Sequence, residues 1–104
     1  MIETVYPLAQ GDAKVIEKVL LGEHLHYLHM ILPPGDSLPV HDTNAPLYMT
    51  VVRGRLRIAL GEQDAHEYPA STMLALPAAT RMHAQNPFTD TLELIVVKAS
   101  APSI

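Results

Sequence analysis

The sequence predicts an all-β fold of the sandwich or barrel type, because short apolar stretches alternate with polar residues and turn residues interrupt them regularly. The interruptions come every eight to twelve positions, which is typical of antiparallel strands. No segment shows helical periodicity over more than two turns. The nine prolines lie almost entirely between the apolar stretches, where a missing N–H costs no sheet hydrogen bond.

Eight strands are predicted from this pattern. The alternation is clearest in residues 55–60, where Leu56 and Ile58 mark the inward face. Arg53 and Gly54 are predicted to form a hairpin turn before this strand. Residues 99–104 are predicted to be a frayed tail. The predicted strands cover residues 15–21, 24–32, 47–52, 55–60, 65–68, 73–76, 81–85 and 91–98.

The chain length and composition predict one globular domain spanning residues 1–104. A chain of 104 residues is too short for two cores. Hydrophobic residues make up 48% and charged residues 17%, which is a composition that folds. Aromatic residues make up only 5% and tryptophan is absent. The core must therefore be built from aliphatic residues and methionine, and aromatic stacking on a ligand is limited.

The charge and the terminal sequence argue against several classes of partner. A net charge of -4 disfavours binding to nucleic acid, which needs clustered lysine and arginine. No apolar run approaches the roughly 20 residues of a membrane span, and residues 1–4 lack a signal-peptide pattern. Without cysteine there is neither a disulfide nor a thiolate metal site. We therefore expect a soluble cytoplasmic protein.

Residues 35–54 carry the first of two spaced patterns. Gly35 is followed after five residues by His41, then by Thr43, by Leu47 and, after six more residues, by Gly54. Glycines at such points are typical of turns that need a left-handed backbone.

Residues 71–86 carry the second pattern, sixteen residues further on. It consists of Ser71, Pro77, Ala79, Met82 and Asn86. With residues 35–54 it resembles the two motifs of the cupins, which read G-x5-H-x-H-x3-E-x6-G and G-x5-P-x-G-x2-H-x3-N. Five of the ten fixed positions match. The resemblance implies a cupin double-stranded β-helix, that is, a jelly-roll barrel of the cupin 2 type related to RmlC-like proteins.

The resemblance also implies a metal site that this chain no longer supplies. In metal-binding cupins three histidines and a glutamate hold a divalent transition metal inside the barrel. This chain keeps His41, but Thr43, Leu47 and Met82 stand at the other three positions. Leucine and methionine provide neither the oxygen nor the imidazole nitrogen of such a site. We therefore expect a metal-free barrel without a cofactor.

The first functional hypothesis is that the barrel binds a small, largely apolar molecule. The predicted pocket residues are His41, Thr43, Leu47, Met49 and Met82. His41 is the best catalytic candidate, since an imidazole can transfer protons near neutral pH. Whether any reaction is catalysed stays open.

The second hypothesis is a metal-dependent oxygenase or isomerase in which His41 binds a metal with non-standard ligands. His24 and His26 share one face of their predicted strand and could enter the barrel. His83 could take the place of Met82 if the strand register shifted by one residue.

The third hypothesis is a non-catalytic dimerisation or regulatory domain with a filled barrel. A barrel this short leaves edge strands and apolar surface that a partner usually covers. Residues 15–21 are apolar on both faces, so we expect a homodimer.

Overall fold

Nine β-strands make up the fold of residues 1–99, which are the residues that the computed structural model describes. They are β1 (Val15–Leu21), β2 (Leu25–Leu32), β3 (His41–Asp42), β4 (Leu47–Arg53), β5 (Arg55–Leu60), β6 (His66–Pro69), β7 (Thr72–Leu76), β8 (Arg81–Gln85) and β9 (Leu92–Ala99).

The strands form two antiparallel sheets. The larger sheet has the order β1-β2-β9-β4-β7, and the smaller has the order β3-β8-β5-β6. No helix occurs within residues 1–99. The all-β prediction is therefore confirmed.

The predicted strand positions agree closely with the structure, but one predicted connection is wrong. Each of the eight predicted strands is present, with ends that differ by at most one residue. Strands β4 and β5, however, are not a hairpin, because β4 pairs with β7 and β9 whereas β5 pairs with β6 and β8. The chain instead passes from one sheet to the other at Gly54, whose φ is +82°. The predicted tail at residues 99–104 begins within β9, and its residues 100–104 lie outside the described part.

The hydrophobic core lies between the two sheets. Alternate residues of β4 and β9 point into it, as period-two alternation requires. Its largest contributions come from β2, β4 and β9 of the larger sheet and from β5 and β8 of the smaller. The buried cluster comprises Leu28, Met30, Leu32, Leu38, Leu47, Met49, Val51, Leu56, Ile58, Leu76, Met82, Ala84, Leu92, Leu94 and Val96.

The outer face of the larger sheet is crossed by the N-terminal segment, which we define as residues 1–13. The backbone N–H of Ala9 donates to Glu17 Oε1 on β1 at 2.9 Å. The guanidinium of Arg53, at the end of β4, donates to Asp12 Oδ1 at 2.7 Å and to the carbonyl oxygen of Gly11 at 2.5 Å. The segment thus reaches from one edge of the sheet towards the other.

Candidate functional site

The backbone conformation confirms that the two patterns are aligned correctly with the cupin motifs. All four positions at which those motifs have glycine adopt a left-handed backbone, with φ values of +84° at Gly35, +82° at Gly54, +67° at Ser71 and +61° at Ala79. Ser71 and Ala79 are the non-glycine residues with positive φ within residues 1–99. This conformation costs about 1–2 kcal/mol for a residue with a Cβ. The motif geometry therefore persists even where its glycines do not.

Restoring glycine at these two positions is expected to stabilise the protein. Ser71→Gly and Ala79→Gly should each raise the free energy of unfolding by about 1 kcal/mol, because the relief of left-handed strain exceeds the entropy that glycine adds to the unfolded chain. Ala75→Gly, in an extended strand, should instead lower it by about 0.5–1 kcal/mol. Urea unfolding measures the stability of all three variants. A loss of stability in Ser71→Gly and Ala79→Gly would contradict the claim that the left-handed backbone is strained at these positions.

His41 lies in β3 and is exposed to solvent. Its backbone pairs with that of Met82 in β8, so the two side chains lie on the same face of the sheet. Its ring Nδ1 donates a hydrogen bond to the carbonyl oxygen of Pro39 at 2.9 Å. His41 therefore lies at the rim of the barrel, with Nε2 as its remaining polar atom.

Thr43 is buried, and its hydroxyl has a structural role. The hydroxyl donates to the carbonyl oxygen of Pro77 and accepts from the backbone N–H of Thr80, both at 2.9 Å. The backbone of Thr43 also bonds to Thr80 and to Ala79. Thr43 thus ties the loop after β3 to the turn between β7 and β8.

Leu47, Met49 and Met82 belong to the hydrophobic core. Their exposed fractions are 1%, 0% and 4%, and all three lie in the cluster between the sheets. Three of the five predicted pocket residues are therefore packed against other side chains of the core. Their assignment to a ligand pocket stays a prediction.

The histidines of the alternative metal site are not brought together. His24 and His26 are exposed near the start of β2. His83 follows the buried Met82 directly in β8 and therefore points to the other face. Within residues 1–99 no group of three or more histidine, aspartate or glutamate side chains is placed to hold a metal ion.

A buried histidine that the sequence patterns did not single out lies on the outer face of the larger sheet. His29 in β2 has no exposed surface. Its Nδ1 lies 2.7 Å from Glu17 Oε1 and its Nε2 lies 2.6 Å from Glu93 Oε2. Burial lowers the pKa of His29, but the hydrogen bonds to Glu93 and Glu17 outweigh it and hold the pKa above its ordinary value. The sequence signal that could have indicated this cluster is a single glutamate in each of the two largely apolar strands beside β2, namely Glu17 in β1 and Glu93 in β9.

Comparison with known proteins decides the family. The chain is 34% identical over 103 residues to the uncharacterised protein MJ0764 of Methanocaldococcus jannaschii, covering 98% of this chain and 89% of that protein. The crystal structure of MJ0764, described as an RmlC-like cupin family protein with a double-stranded β-helix fold, matches with a TM-score of 0.92 over 95% of this chain and 92% of that chain. This chain belongs to the RmlC-like cupin family.

Two more distant structures show the same fold in other cupins. A cupin 2 conserved barrel domain protein from Salinispora arenicola is 14% identical, with a TM-score of 0.80 over 97% of this chain and 92% of that chain. A cupin superfamily protein from Desulfitobacterium hafniense is 9% identical, with a TM-score of 0.77 over 91% of this chain and 84% of that chain. No family model matches the sequence. Within residues 1–99 of this cupin, no helix is long and apolar enough to span a membrane.

The ligand positions of this cupin do not fit the metal that its family often binds. Leu47 and Met82 place apolar side chains where carboxylate oxygen and imidazole nitrogen are required. The hydroxyl of Thr43 is already bonded on both sides. His41 is then the one strong donor left among the four positions, and a single imidazole holds a labile divalent ion poorly against water.

Proposed function

We propose that this cupin is a metal-independent, non-catalytic barrel, filled by its own side chains, that acts as a homodimeric module through the outer face of its larger sheet. The observation that carries the proposal is the burial of Leu47 and Met82, at 1% and 4% exposure, in the positions of two metal ligands.

The apolar side chains of the interior stabilise the fold but offer no group for metal binding or catalysis. Full burial of a leucine or methionine side chain contributes roughly 1.5–3 kcal/mol, whereas a buried carboxylate without a metal or a cationic partner costs several kcal/mol. Leu47 and Met82 therefore turn the ligand positions into part of the core. His41 lies outside this apolar interior, at its rim.

Binding of a small, largely apolar molecule inside the barrel, the first hypothesis from the sequence, is the second candidate function. The observation that favours it is the presence of Met49 and Met82 beside Leu47 in the core, because methionine side chains change rotamer easily to admit a ligand.

The proposed dimer surface consists of uncharged residues on β4, β7 and β9. An antiparallel sheet that faces water on one side normally alternates apolar and polar residues, but here the outward positions are largely apolar. Two copies that meet at this surface bring no like charges together, although each carries a net charge of -4. We define the uncharged face as Tyr48, Thr50, Met73, Ala75, Ile95 and Val97, which the strand register places side by side.

The N-terminal segment supplies further apolar surface for the same interface. Three strands spaced about 4.8 Å apart present roughly 250 Å² of sheet face, which is less than the roughly 800 Å² per partner of a stable interface. Met1, Ile2 and Val5 are 96%, 103% and 62% exposed. Their burial against a second copy would provide much of the missing area.

A charged residue on the uncharged face is expected to weaken the dimer. Tyr48 and Val40 are exposed to similar extents, 42% and 48%, but Val40 directly precedes β3 of the smaller sheet, away from the uncharged face. We expect the wild type and Val40→Glu to have the mass of a dimer at micromolar concentration, and Tyr48→Glu to dissociate at least about tenfold more readily. Light scattering after size-exclusion chromatography measures this. A monomeric wild type, or equal dimerisation of both variants, would contradict the proposed dimer.

Native mass spectrometry of untagged protein tests the filled barrel. Ions whose mass is that of the polypeptide dimer, with no added mass, would support it. A stoichiometric added organic mass that is lost in Met82→Phe, where the added bulk closes the interior, would instead establish the ligand-binding function.

A further inference from the structure

Hydrogen bonds tie residues 9–12 to Glu17 and Arg53 of the larger sheet, and both of these residues are linked to His29, directly or through Glu93. Ala9 donates to Glu17 Oε1, which also faces Nδ1 of His29. Glu93 faces Nε2 of His29 and accepts from Nε of Arg53 at 3.2 Å. Arg53 in turn holds Asp12 and Gly11.

We propose that the Glu17–His29–Glu93 cluster is a pH-sensitive latch, which holds the N-terminal segment against the larger sheet while His29 is protonated and releases it when His29 loses its proton.

The geometry suits the imidazolium form when both glutamates are ionised. A protonated ring donates from both nitrogens, whereas a neutral ring has one N–H and one lone pair. With carboxylate oxygens at 2.7 Å and 2.6 Å from the two nitrogens, loss of the proton leaves one lone pair directed at a carboxylate. One of the two glutamates must then move away.

Glu17 is the carboxylate that is held less firmly and can move away from His29. Glu93 is held by Arg53 and its side chain is 20% exposed, whereas that of Glu17 is 32% exposed. Movement of Glu17 removes the acceptor of the Ala9 N–H. The segment is therefore released first near Ala9, while Arg53 still holds Asp12 and Gly11.

The charged groups around His29 fix the direction of the switch. Glu17 faces it from β1 and Glu93 from β9, while Arg53 on β4 and Asp12 of the segment lie beyond Glu93. The pKa of His29 is raised above its ordinary value of 6.5. The latch is therefore closed while His29 is protonated and both glutamates are ionised, and it opens as the pH rises through the raised pKa of His29.

A single tryptophan reports on the segment, since the protein contains none. Tyr6 and Leu8 line a depression together with Val19, Leu20 and Tyr27, so the indole of Tyr6→Trp lies against the sheet when the segment is docked. We expect its fluorescence emission maximum to move to longer wavelength as the pH rises from 5 to 9, with a midpoint above 6.5.

Two further variants in the Tyr6→Trp background complete the test. In Glu17→Gln the amide can accept from, or donate to, either form of the imidazole, so the emission should stay constant across the range. In His66→Gln, which removes an exposed histidine of the smaller sheet, the transition should be unchanged. A constant emission in Tyr6→Trp alone, a midpoint at or below 6.5, or an equal transition in Glu17→Gln would overturn the latch.

Discussion

Replacing Gly54 by alanine is expected to abolish the folded barrel. A Cβ at this position would collide with the carbonyl oxygen of Thr91 and lie 3.0 Å from Cα of Leu92. Both are backbone atoms, one just before β9 and one at its first residue, so the clash cannot be relieved by a change of rotamer. Together with the left-handed φ of Gly54, this should cost more than about 4 kcal/mol.

Gly35→Ala is the matched control for that prediction. Gly35 has a φ of +84°, close to that of Gly54, but a Cβ there would meet nothing within 4 Å. It should cost only the left-handed strain of about 1–2 kcal/mol. Urea unfolding and the yield of folded protein compare the two. Equal stabilities would show that the close approach of Gly54 to β9 does not matter.

Leu47→Glu is expected to have the second-largest effect. It would place a carboxylate at a position that is 1% exposed in the core, without a metal or a cationic partner, and should cost roughly 3–5 kcal/mol. The loss should be smaller at pH 4 than at pH 8, because the protonated acid is easier to bury.

Leu47→Met controls for the change of shape in that experiment. Such a swap conserves volume and polarity and usually costs less than about 1.5 kcal/mol. Urea unfolding at both pH values measures the two variants. A Leu47→Glu protein as stable as Leu47→Met would mean that the interior at Leu47 is open to water.

The sequence predicts the barrel well because turns depend on local chemistry. Gly35, Gly54 and Pro77 stand where only certain φ values are accepted, and Ser71 and Ala79 adopt the same left-handed backbone without the glycine. Spacing along the chain was therefore enough to align the motifs. It could not reveal β3, because His41–Asp42 is too short for any alternation to be visible.

Pairing between strands was harder to predict than the strands themselves. Arg53 and Gly54 resemble a hairpin turn locally. Gly54, however, lies close to Thr91, and a contact between residues so far apart in sequence cannot be predicted from the local pattern. The same limit applies to His29. Its partners Glu17 and Glu93 lie 12 and 64 residues away, and only the register of β1, β2 and β9 brings them together.

The candidate site shows a further limit of sequence reasoning. Leu47 and Met82 stand where metal-binding cupins have ligands, but the loss of a ligand leaves either an open pocket or a filled core. Side-chain packing decides between these, and it depends on the volumes of all the surrounding residues. In the structure both side chains lie within the buried cluster.

Metal content distinguishes a filled, metal-independent barrel from a metalloenzyme. The variant with Thr43→His, Leu47→Glu and Met82→His restores the family's ligand set around His41, and elemental analysis of untagged protein compares it with the wild type. The filled barrel predicts little bound metal in the wild type and close to one equivalent of a divalent transition metal in the rebuilt variant. Near-stoichiometric iron, nickel, zinc or copper in the wild type, lost in His41→Ala, would contradict it.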